Sequence, residues 1–409
     1  MAKTEQMVVG LDLGTTKTCV LVGVQGEKGL EIVGVGTAPS LGLRKGVVVN
    51  LDSTVDSIRK AVVEAEKICG QKIKVVQTGI AGSHVQGMNS HGIIGVKDRE
   101  VSQNDVEQVL DAARAVAIPM DREVIATIPQ QFFLDDQEGV VDPVGMSGVR
   151  LEVDVHIVTA AAASLQNVYR CCNRAGLDVS GVVLQQLASS MAVLTSEERE
   201  LGVVLVDIGG GTTDIAIYVE GSISYTASLP LGGNQVTNDI AIGLRTPMDA
   251  AEKIKRHYGC TTAQMIGQDE SIEVPSVGGR PPRKLSRQIL GEIIEPRLEE
   301  IFELANRELH KSGVYDQVVS GVVITGGTAL VPGTAELAEK VFELQARVGF
   351  PEAQGSGFEA VKSPVYATSI GLLKYAVQES GTNRRRYSPE GLKLGGFFGK
   401  AGAWLKDFF

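Results

Sequence analysis

The sequence predicts an α/β protein with two related half-sites, and three observations carry this prediction. Strand and helix patterns alternate along most of the 409 residues. Three apolar strands, far apart in the chain, each run into a glycine- or threonine-rich turn. The composition is 43% apolar but only 5% aromatic. A chain of this length is long enough for about two to four domains, and its composition predicts that their cores are aliphatic.

The three turns contain the residue types that bind polyphosphate. They are VVGLDLGTTK at residues 8–17, VVLVDIGGGTTD at residues 203–214 and VVITGGTA at residues 322–329. Glycines let backbone N–H groups converge on phosphate oxygens, and threonine hydroxyls add donors. Asp12 and Asp207 end their strands in matching positions and offer carboxylates to a hydrated Mg²⁺. One such turn is also consistent with a structural hairpin, but three together predict a single nucleotide site between two half-sites.

Several other classes of protein are disfavoured by the sequence. No P-loop motif occurs, and no Gly-x-Gly-x-x-Gly segment opens a helix after a strand. The five cysteines form no Cys-x-x-Cys pair, which favours reduced core thiols, and no zinc-protease or serine-hydrolase motif is present. A net charge of -10 argues against a dedicated nucleic-acid binder. We find no signal-peptide core and no apolar run of the roughly 20 residues that span a bilayer.

The elements after the first turn predict a compact α/β unit. Strands are expected at residues 19–23 and 30–35. A helix follows at residues 54–69, where Gly70 ends its apolar stripe. The next strand is expected at residues 75–81.

Residues 84–162 predict a small inserted α/β subdomain. A helix capped by Ser102 precedes strands at residues 122–128 and 149–159. The last strand alternates apolar and polar residues, so we expect one solvent-exposed sheet face, formed by Glu152, Asp154 and His156.

The second half has an insertion of its own at residues 232–310. It contains a polar stretch, residues 267–287, and a long helix through residues 289–309. Four basic residues cluster here in an otherwise acidic protein: Arg280, Arg283, Lys284 and Arg287. The cluster is either a solvated basic loop or a docking site for an acidic peptide.

The C-terminus predicts a membrane-targeting segment. Residues 378–390 have the polar composition of a linker. Aromatic and aliphatic residues then recur at helical spacing over residues 391–409, and four glycines there oppose helix formation in water. A terminal helix docked onto the protein body is the alternative. We expect a lipid interface to bury or attract Leu394, Phe397, Phe398, Lys400, Trp404, Leu405, Lys406, Phe408 and Phe409.

The three turns resemble those of the actin, heat-shock chaperone and sugar kinase superfamily. Residues 12–16 look like its first phosphate loop, residues 207–214 like its second and residues 324–327 like its adenosine loop. Glu252 and Lys255 resemble the Glu-x-x-Lys pair that borders the adenosine ribose. The resemblance implies an α/β, actin-like ATPase fold, with two RNase H-like halves around a nucleotide cleft.

An α/β insertion so soon after the first strands is similar to that of the FtsA family of bacterial division proteins, and this resemblance extends over essentially the whole chain. Residues 364–376 look like the helix that returns to the first half. The implied units are a first-half core (1–83, 163–200 and 362–377) with the inserted α/β subdomain 84–162, a second-half core (201–231 and 311–361) with the insertion 232–310, a linker (378–390) and an amphipathic helix (391–409).

The resemblance implies ATP and Mg²⁺ as cofactors. Asp12 and Asp207 would bind Mg²⁺ mostly through water. They are also the candidate catalytic residues, although the resemblance leaves open whether the chain has weak ATPase activity. The implied nucleotide-binding residues are Gly14, Thr15, Thr16, Lys17, Gly209, Gly210, Gly211, Thr212, Thr213, Gly232, Gly233, Asn234, Glu252, Lys255, Gly326, Gly327 and Thr328.

The resemblance also implies a biological role. FtsA-like proteins polymerise as actin-like filaments on the cytoplasmic face of the cell membrane at the division site, as peripheral proteins on an anionic surface. They tether the FtsZ ring by its C-terminal peptide and help to recruit later division proteins. In that family the second-half insertion receives the FtsZ peptide, so the basic cluster is its candidate dock. A metabolite kinase of the same superfamily is the main alternative, whereas a chaperone ATPase lacks its substrate-binding domain here.

Overall fold

The computed structural model describes residues 7–26, 29–278, 280–355 and 357–386. The first part of the chain forms β1 (Met7–Leu13), β2 (Lys17–Gly26), β3 (Gly29–Pro39), the short hairpin β4 (Leu43–Arg44) and β5 (Val47–Val48), helix α1 (Leu51–Cys69) and β6 (Val75–Ile80). Asn50 caps α1 by accepting a hydrogen bond from the Ser53 amide, and Gly70 ends the helix in the left-handed conformation. The predicted C-terminal end of this helix is therefore correct, and its first turn begins earlier than expected.

The inserted subdomain is a four-stranded antiparallel sheet covered on one face by a helix. Its elements are β7 (Val85–Gly95), α2 (Gln103–Arg114), β8 (Arg122–Leu134), β9 (Gln137–Val140) and β10 (Arg150–Ala161), with the strand order β7-β10-β8-β9. Ser102 caps α2 through a reciprocal bond with Asp105. The helix buries Val106, Val109 and Leu110 against the sheet.

The other face of the inserted sheet is only partly exposed to solvent. Glu152 and Asp154 are partly exposed, as the alternating pattern predicts. His156 is 1% exposed, so its prediction as a solvent-facing residue was wrong. Its ring contacts the side chains of Asn89 and Thr226, and Thr226 belongs to the second half of the chain. A local alternation pattern cannot indicate that a strand from another part of the fold covers this face.

The chain then completes the first half and enters the second. It forms α3 (Ala162–Ala175), β11 (Asp178–Leu184), α4 (Gln185–Val193), α5 (Ser196–Leu201), β12 (Val203–Ile208), β13 (Thr213–Val219), β14 (Ser222–Leu229), α6 (Gly233–Leu244), α7 (Met248–Tyr258), β15 (Ser271–Val274), β16 (Arg283–Ser286), α8 (Gln288–Ser312), β17 (Val322–Thr325), α9 (Thr334–Phe342), β18 (Ala346–Val348) and α10 (Ala367–Arg386). Short 3-10 turns lie at Ala263–Met265, Tyr315–Gln317, Gly327–Leu330 and Pro364–Tyr366.

The two halves contain sheets of the same topology. The first sheet has the order β11-β6-β1-β2-β3 and the second the order β14-β13-β12-β17-β18. In each, three consecutive strands form an antiparallel meander, and two later strands add in parallel beside the first strand of that meander. β1 and β12 therefore occupy equivalent central positions. Asp12 and Asp207 are each the penultimate residue of these equivalent strands.

Helices α4 and α10 pack against each other in one hydrophobic cluster that includes residues of both sheets. A Cβ on Gly371 of α10 would overlap the Ala188 carbonyl oxygen of α4, so this close crossing requires glycine. The prediction of a helix that returns to the first half is correct, because α10 contacts β1 and β2. The helix runs to Arg386, beyond the residue at which the polar linker was expected to begin.

The predicted second insertion shares its core with the second sheet. Apolar residues of α6, α7, β15 and α8 lie in the same buried cluster as those of β12, β13 and β17. The long helix α8 contributes Leu290, Ile294, Leu298, Ile301 and Phe302 to that cluster. Residues 232–310 are therefore structurally continuous with the second half.

Candidate nucleotide-binding site

The three predicted turns meet in the structure. A Cβ on Gly211 would lie 2.6 Å from the Thr15 hydroxyl oxygen, and one on Gly210 would overlap the Thr16 hydroxyl. The first turn therefore lies directly against the second. Gly326 has a φ of 86°, and a Cβ there would lie 2.5 Å from Asp207 Oδ1. The third turn thus reaches the carboxylate that ends the second strand.

Backbone hydrogen bonds hold the second turn in shape and attach it to α6. The Gly209 amide donates to the Thr212 carbonyl at 2.9 Å, which closes the turn. The amides of Gly233 and Asn234 donate to the carbonyls of Gly209 and Gly210 at 2.9 and 2.8 Å. The predicted segment Gly232-Gly233-Asn234 therefore lies on the second turn.

Two of the predicted threonine donors already have intramolecular acceptors. The Thr212 hydroxyl donates to Asp214 at 2.9 Å, and the Thr213 hydroxyl to the Leu231 carbonyl at 2.9 Å. The Thr328 hydroxyl reaches the Gly209 carbonyl at 3.4 Å. These side chains shape the turns, so the backbone amides are the better candidates for contact with phosphate.

The two predicted metal-binding carboxylates are buried, with Asp12 6% and Asp207 7% exposed. Asp12 Oδ2 accepts a hydrogen bond from Ser369 at 2.9 Å. Asp207 Oδ2 accepts from Ser189 at 2.5 Å and from Thr368 at 3.2 Å. Burial raises the pKa of Asp12, and it raises the pKa of Asp207 to about 6, to which the negative charge of Asp12 contributes.

These residues fit a divalent cation that is held together with phosphate. Two buried carboxylates near each other are poorly compensated by hydroxyl donors alone, and a cation would stabilise both. Among the described residues no group of three or more His, Cys, Asp or Glu side chains could hold a metal. A Mg²⁺ bound through one or two carboxylates, water and phosphate oxygens needs no larger protein set.

Asp214 is a third acidic residue of the site that sequence reasoning did not assign. It is 4% exposed, pairs directly with Asp207 across the β12–β13 hairpin and accepts hydrogen bonds from Thr212 and Ser228. Burial raises its pKa to about 7, with a contribution from the charge of Asp207. The hairpin register was the available signal, because a short turn between two antiparallel strands places their last and first residues opposite each other.

The predicted phosphate ligand Lys17 has other partners in the structure. Its ammonium group donates to the Val365 carbonyl at 2.9 Å and lies 3.7 Å from the centroid of the Tyr366 ring. Lys17 therefore joins the first turn to the segment that precedes α10. Its contact with phosphate stays a prediction.

The predicted ribose-side pair forms an ion pair that fixes the start of α6. Lys255 Nζ lies 2.7 Å from Glu252, and it donates to the Gly233 carbonyl at 3.0 Å and to the Thr237 hydroxyl at 2.9 Å. Lys255 is 8% exposed, and burial lowers its pKa. A Cβ on Gly233 would overlap the Thr328 hydroxyl, so the pair lies beside both the second and the third turn.

The basic cluster is only partly available to a partner. Arg287 pairs with Glu270 at 2.6 Å and donates to the Tyr258 carbonyl, and Arg283 donates to the Leu244 carbonyl. Arg280 and Lys284 are exposed, and in the described part of the chain neither forms an ion pair. The structure therefore separates two arginines with intramolecular partners from two exposed cations that form no ion pair among the described residues.

The predicted membrane-contacting residues, Leu394 to Phe409, lie outside the described residues, and so does the end of the predicted linker. Among the helices described up to Arg386, none is both long enough and apolar enough to cross a bilayer.

The duplicated sheets and the facing turns define an actin-like ATPase fold. A chain of the PilM–PilN type IV pilus biogenesis complex aligns with a TM-score of 0.67 at 17% identity, covering 90% of this chain and 98% of that chain. MreB5 of Spiroplasma citri bound to ADP aligns with a TM-score of 0.56 at 14% identity, over 93% of this chain and 98% of that one. The predicted fold class is confirmed.

Within this class, the chain belongs to the FtsA family of cell division proteins. It is 53% identical to the cell division protein FtsA of Pseudomonas aeruginosa, over 91% of this chain and 90% of that protein. The FtsA proteins of Neisseria meningitidis and Escherichia coli K12 are 44% and 40% identical over 100% of this chain and 100% and 99% of their own lengths. The family models for cell division protein FtsA and for the SHS2 domain inserted in FtsA match residues 204–371 and 82–159. The predicted family resemblance is confirmed, and the chain is an actin-like cell division protein.

Proposed function

We propose that this chain binds ATP with Mg²⁺ between its two halves. The observation that carries the proposal is the contact of the first turn with the second, next to two buried carboxylates from equivalent strands. Mg²⁺ would supply the positive charge that these carboxylates and a polyphosphate both require. MreB5 of Spiroplasma citri, whose structures were solved bound to ADP and to AMPPNP, shares this fold.

In this proposal the residues of the three turns have different tasks. Backbone amides of Gly210 and Gly211 donate to phosphate oxygens, and the hydroxyls of Thr15 and Thr16 assist them. Gly14 and Gly209 close the first and second turns, because their amides donate to the Lys17 and Thr212 carbonyls. Asp12 and Asp207 hold the hydrated cation. Glu252 and Lys255 border the ribose, while Gly326, Gly327 and Thr328 form the adenosine side. Asp12 and Asp207 are also the candidate residues that would orient water in a weak ATPase activity.

We further propose that the chain forms filaments on the cytoplasmic face of the cell membrane at the division site. Support comes from membership of the FtsA family and from the aromatic, lysine-containing pattern of residues 391–409. One such tail is expected to bind lipid weakly, so several tails on one polymer would gain by avidity. The C-terminal peptide of FtsZ is the proposed acidic partner of the basic cluster, and later division proteins are further partners.

One experiment tests nucleotide, membrane and polymer together. The full chain is mixed with vesicles that contain anionic lipid, with Mg²⁺-ATP or without nucleotide, and is imaged by electron microscopy while calorimetry measures ATP affinity. We expect micromolar or tighter binding and filaments on the vesicles only with ATP. Consumption of ATP in the presence of a panel of metabolites, without filaments on the vesicles, would instead support the alternative of a metabolite kinase.

A further inference from the structure

The N-terminal turn of α10 lies against both carboxylates of the candidate site. Ser369 donates to Asp12 Oδ2 at 2.9 Å, and Thr368 donates to Asp207 Oδ2 at 3.2 Å. Ser189 of α4 supports the second bond, because its hydroxyl contacts both Thr368 and Asp207. Two adjacent residues of one helix thus hold one carboxylate from each half of the chain.

We propose that Thr368 and Ser369 are positioning residues that align Asp12 and Asp207 for one Mg²⁺–polyphosphate. The proposal rests on the proposed ATP-binding function. Neighbouring residues of a helix point about 100° apart, so their hydroxyls can reach two carboxylates that approach α10 from different strands. Both donors use Oδ2, and among the described residues no hydrogen bond reaches Oδ1 of either aspartate. The second oxygen of each carboxylate is therefore the one left for a hydrated cation.

The packing of α10 makes this arrangement specific to one position of the helix. Gly371 lies so close to Ala188 of α4 that a Cβ would overlap a backbone oxygen. A Cβ on Gly10 of β1 would lie 3.1 Å from Leu372 and 3.2 Å from the Ser369 carbonyl oxygen. A slide of α10 by one residue would place Ile370 or Leu372 against the Ala188 carbonyl oxygen. It would also replace one of the two hydroxyls by the side chain of Ala367 or Ile370. The helix therefore fixes where the two donors stand.

A role in positioning differs from a role in stability in what it predicts about Mg²⁺. If the hydroxyls only stabilise the helix, their loss weakens nucleotide binding equally with and without metal. If they orient the carboxylates, their loss weakens only the additional affinity that Mg²⁺ gives to ATP. A hydrogen bond to a charged group contributes enough that losing it should reduce this Mg²⁺-dependent gain about tenfold.

The test is calorimetry of the full chain with ATP, once in excess Mg²⁺ and once in EDTA. The variants are Thr368→Val and Ser369→Ala, with Thr368→Ser and Ser369→Thr as hydroxyl-keeping rescues. The matched control is Ser190→Ala, because Ser190 is a buried serine beside Ser189 whose hydroxyl bonds to the Leu187 carbonyl and to Tyr218 rather than to a carboxylate.

We expect the ratio of the ATP affinities with and without Mg²⁺ to fall about tenfold in Thr368→Val and Ser369→Ala, and to stay within twofold of wild type in the control and in both rescues. Unchanged ratios in the two variants would overturn the inference while leaving ATP binding intact. A wild-type protein whose ATP affinity does not respond to Mg²⁺ would refute the metal part of the proposed function itself, and the inference with it. If Ser369→Ala does not fold, Thr368→Val at its partly exposed position decides the question alone.

Discussion

At the scale of single residues, buried polar side chains determine how the fold responds to pH. His156 is 1% exposed, and burial lowers the pKa of its ring from the usual 6.5 to about 4. Nδ1 lies 2.6 Å from Asn89 Oδ1, and Nε2 lies 2.8 Å from the Thr226 hydroxyl. The Asn89 amide nitrogen donates to the Ser224 carbonyl, so its oxygen accepts the Nδ1 proton and leaves Nε2 to accept from Thr226. The neutral ring satisfies both partners.

The lowered pKa of His156 predicts that stability falls with pH below neutrality. The unfolded chain binds a proton at this residue below about pH 6.5, whereas the folded chain does so only near pH 4. Between pH 7.5 and 5.5 the wild type should therefore lose about 1 kcal/mol more unfolding free energy than His156→Gln, which cannot titrate. Urea unfolding at the two pH values measures this difference. Equal losses in both proteins would contradict the assignment of a buried neutral ring.

Gly210 offers the sharpest residue-scale test of the cleft. The methyl group of Gly210→Ala would overlap the Thr16 hydroxyl and separate the first turn from the second. We expect at least a tenfold loss of Mg²⁺-ATP affinity by calorimetry. Gly95→Ala is the control, because its methyl would meet only the Val149 carbonyl oxygen, at 3.9 Å. Wild-type affinity in Gly210→Ala would mean that nucleotide binds elsewhere.

Local patterns indicated the turns that meet at the candidate site, but not the residues that reach it from far away in sequence. Asp12 and Asp207 stood out because each lies near the end of an apolar strand, one residue before the end and two residues before a glycine. Ser369 is 357 residues from Asp12, and nothing in its own surroundings distinguishes it from a buried helical serine. Likewise the partners of Arg283 and Arg287, a carbonyl and a carboxylate on other elements, could not be read from the basic cluster.

At the scale of elements, strand β14 connects the candidate site to the inserted subdomain. Ser228 near its end donates to Asp214 at 2.5 Å, and Thr226, two residues earlier, contacts His156 of the insertion. A backbone carbonyl of β14 also accepts a hydrogen bond from the side chain of Gln130, at 2.8 Å. Side chains of the insertion thus cover the edge strand of the second sheet, which both protects that edge and fixes the insertion to it.

Loss of the Thr226 hydroxyl should loosen this connection without unfolding the sheets. In Thr226→Val the ring of His156 loses its donor while remaining buried, which costs about 1 kcal/mol or more. We expect amide hydrogen exchange in β7 and β10 to be at least about five times faster than in the wild type, as measured by mass spectrometry. Thr18→Val serves as the control, because Thr18 is buried and, within the described part of the protein, its hydroxyl has no partner. The same increase in the control would exclude a specific connection.

The hairpin β15–β16 gives an element-scale test of the FtsZ dock. Charge reversal of the two exposed cations, Arg280→Glu with Lys284→Glu, should weaken binding of the FtsZ tail peptide at least fivefold and leave the unfolding midpoint unchanged. Arg287→Glu would place a carboxylate against Glu270, so it should lower the midpoint as well. Fluorescence anisotropy with a labelled peptide measures the affinity. An affinity within twofold of wild type after the double reversal would place the dock elsewhere.

At the scale of the whole molecule, two sheets of one topology face each other through α4 and α10. The repeated motif at the two aspartates predicted this duplication, since both strands end in the same pattern. It did not predict that the second insertion would share its core with the second sheet, because a buried helix face has the same periodicity whichever sheet it covers. α10 packs with α4 in the other large cluster and ends at Arg386, where the chain continues toward the predicted tail.

We expect membrane binding through the predicted tail to depend on assembly, and truncation tests this. A chain ending after Glu390 should still bind Mg²⁺-ATP with wild-type affinity but should no longer sediment with anionic vesicles, since the aromatic residues at 397–409 are missing. In the full chain, Mg²⁺-ATP should raise the sedimented fraction and make it rise steeply with protein concentration, because each added subunit brings another tail to the same polymer. Trp404→Glu is the matched control, since it keeps the length and removes the apolar contact. Equal sedimentation of the truncated and full chains would refute the anchor. A sedimented fraction that does not depend on ATP would mean that anchoring does not require polymerisation.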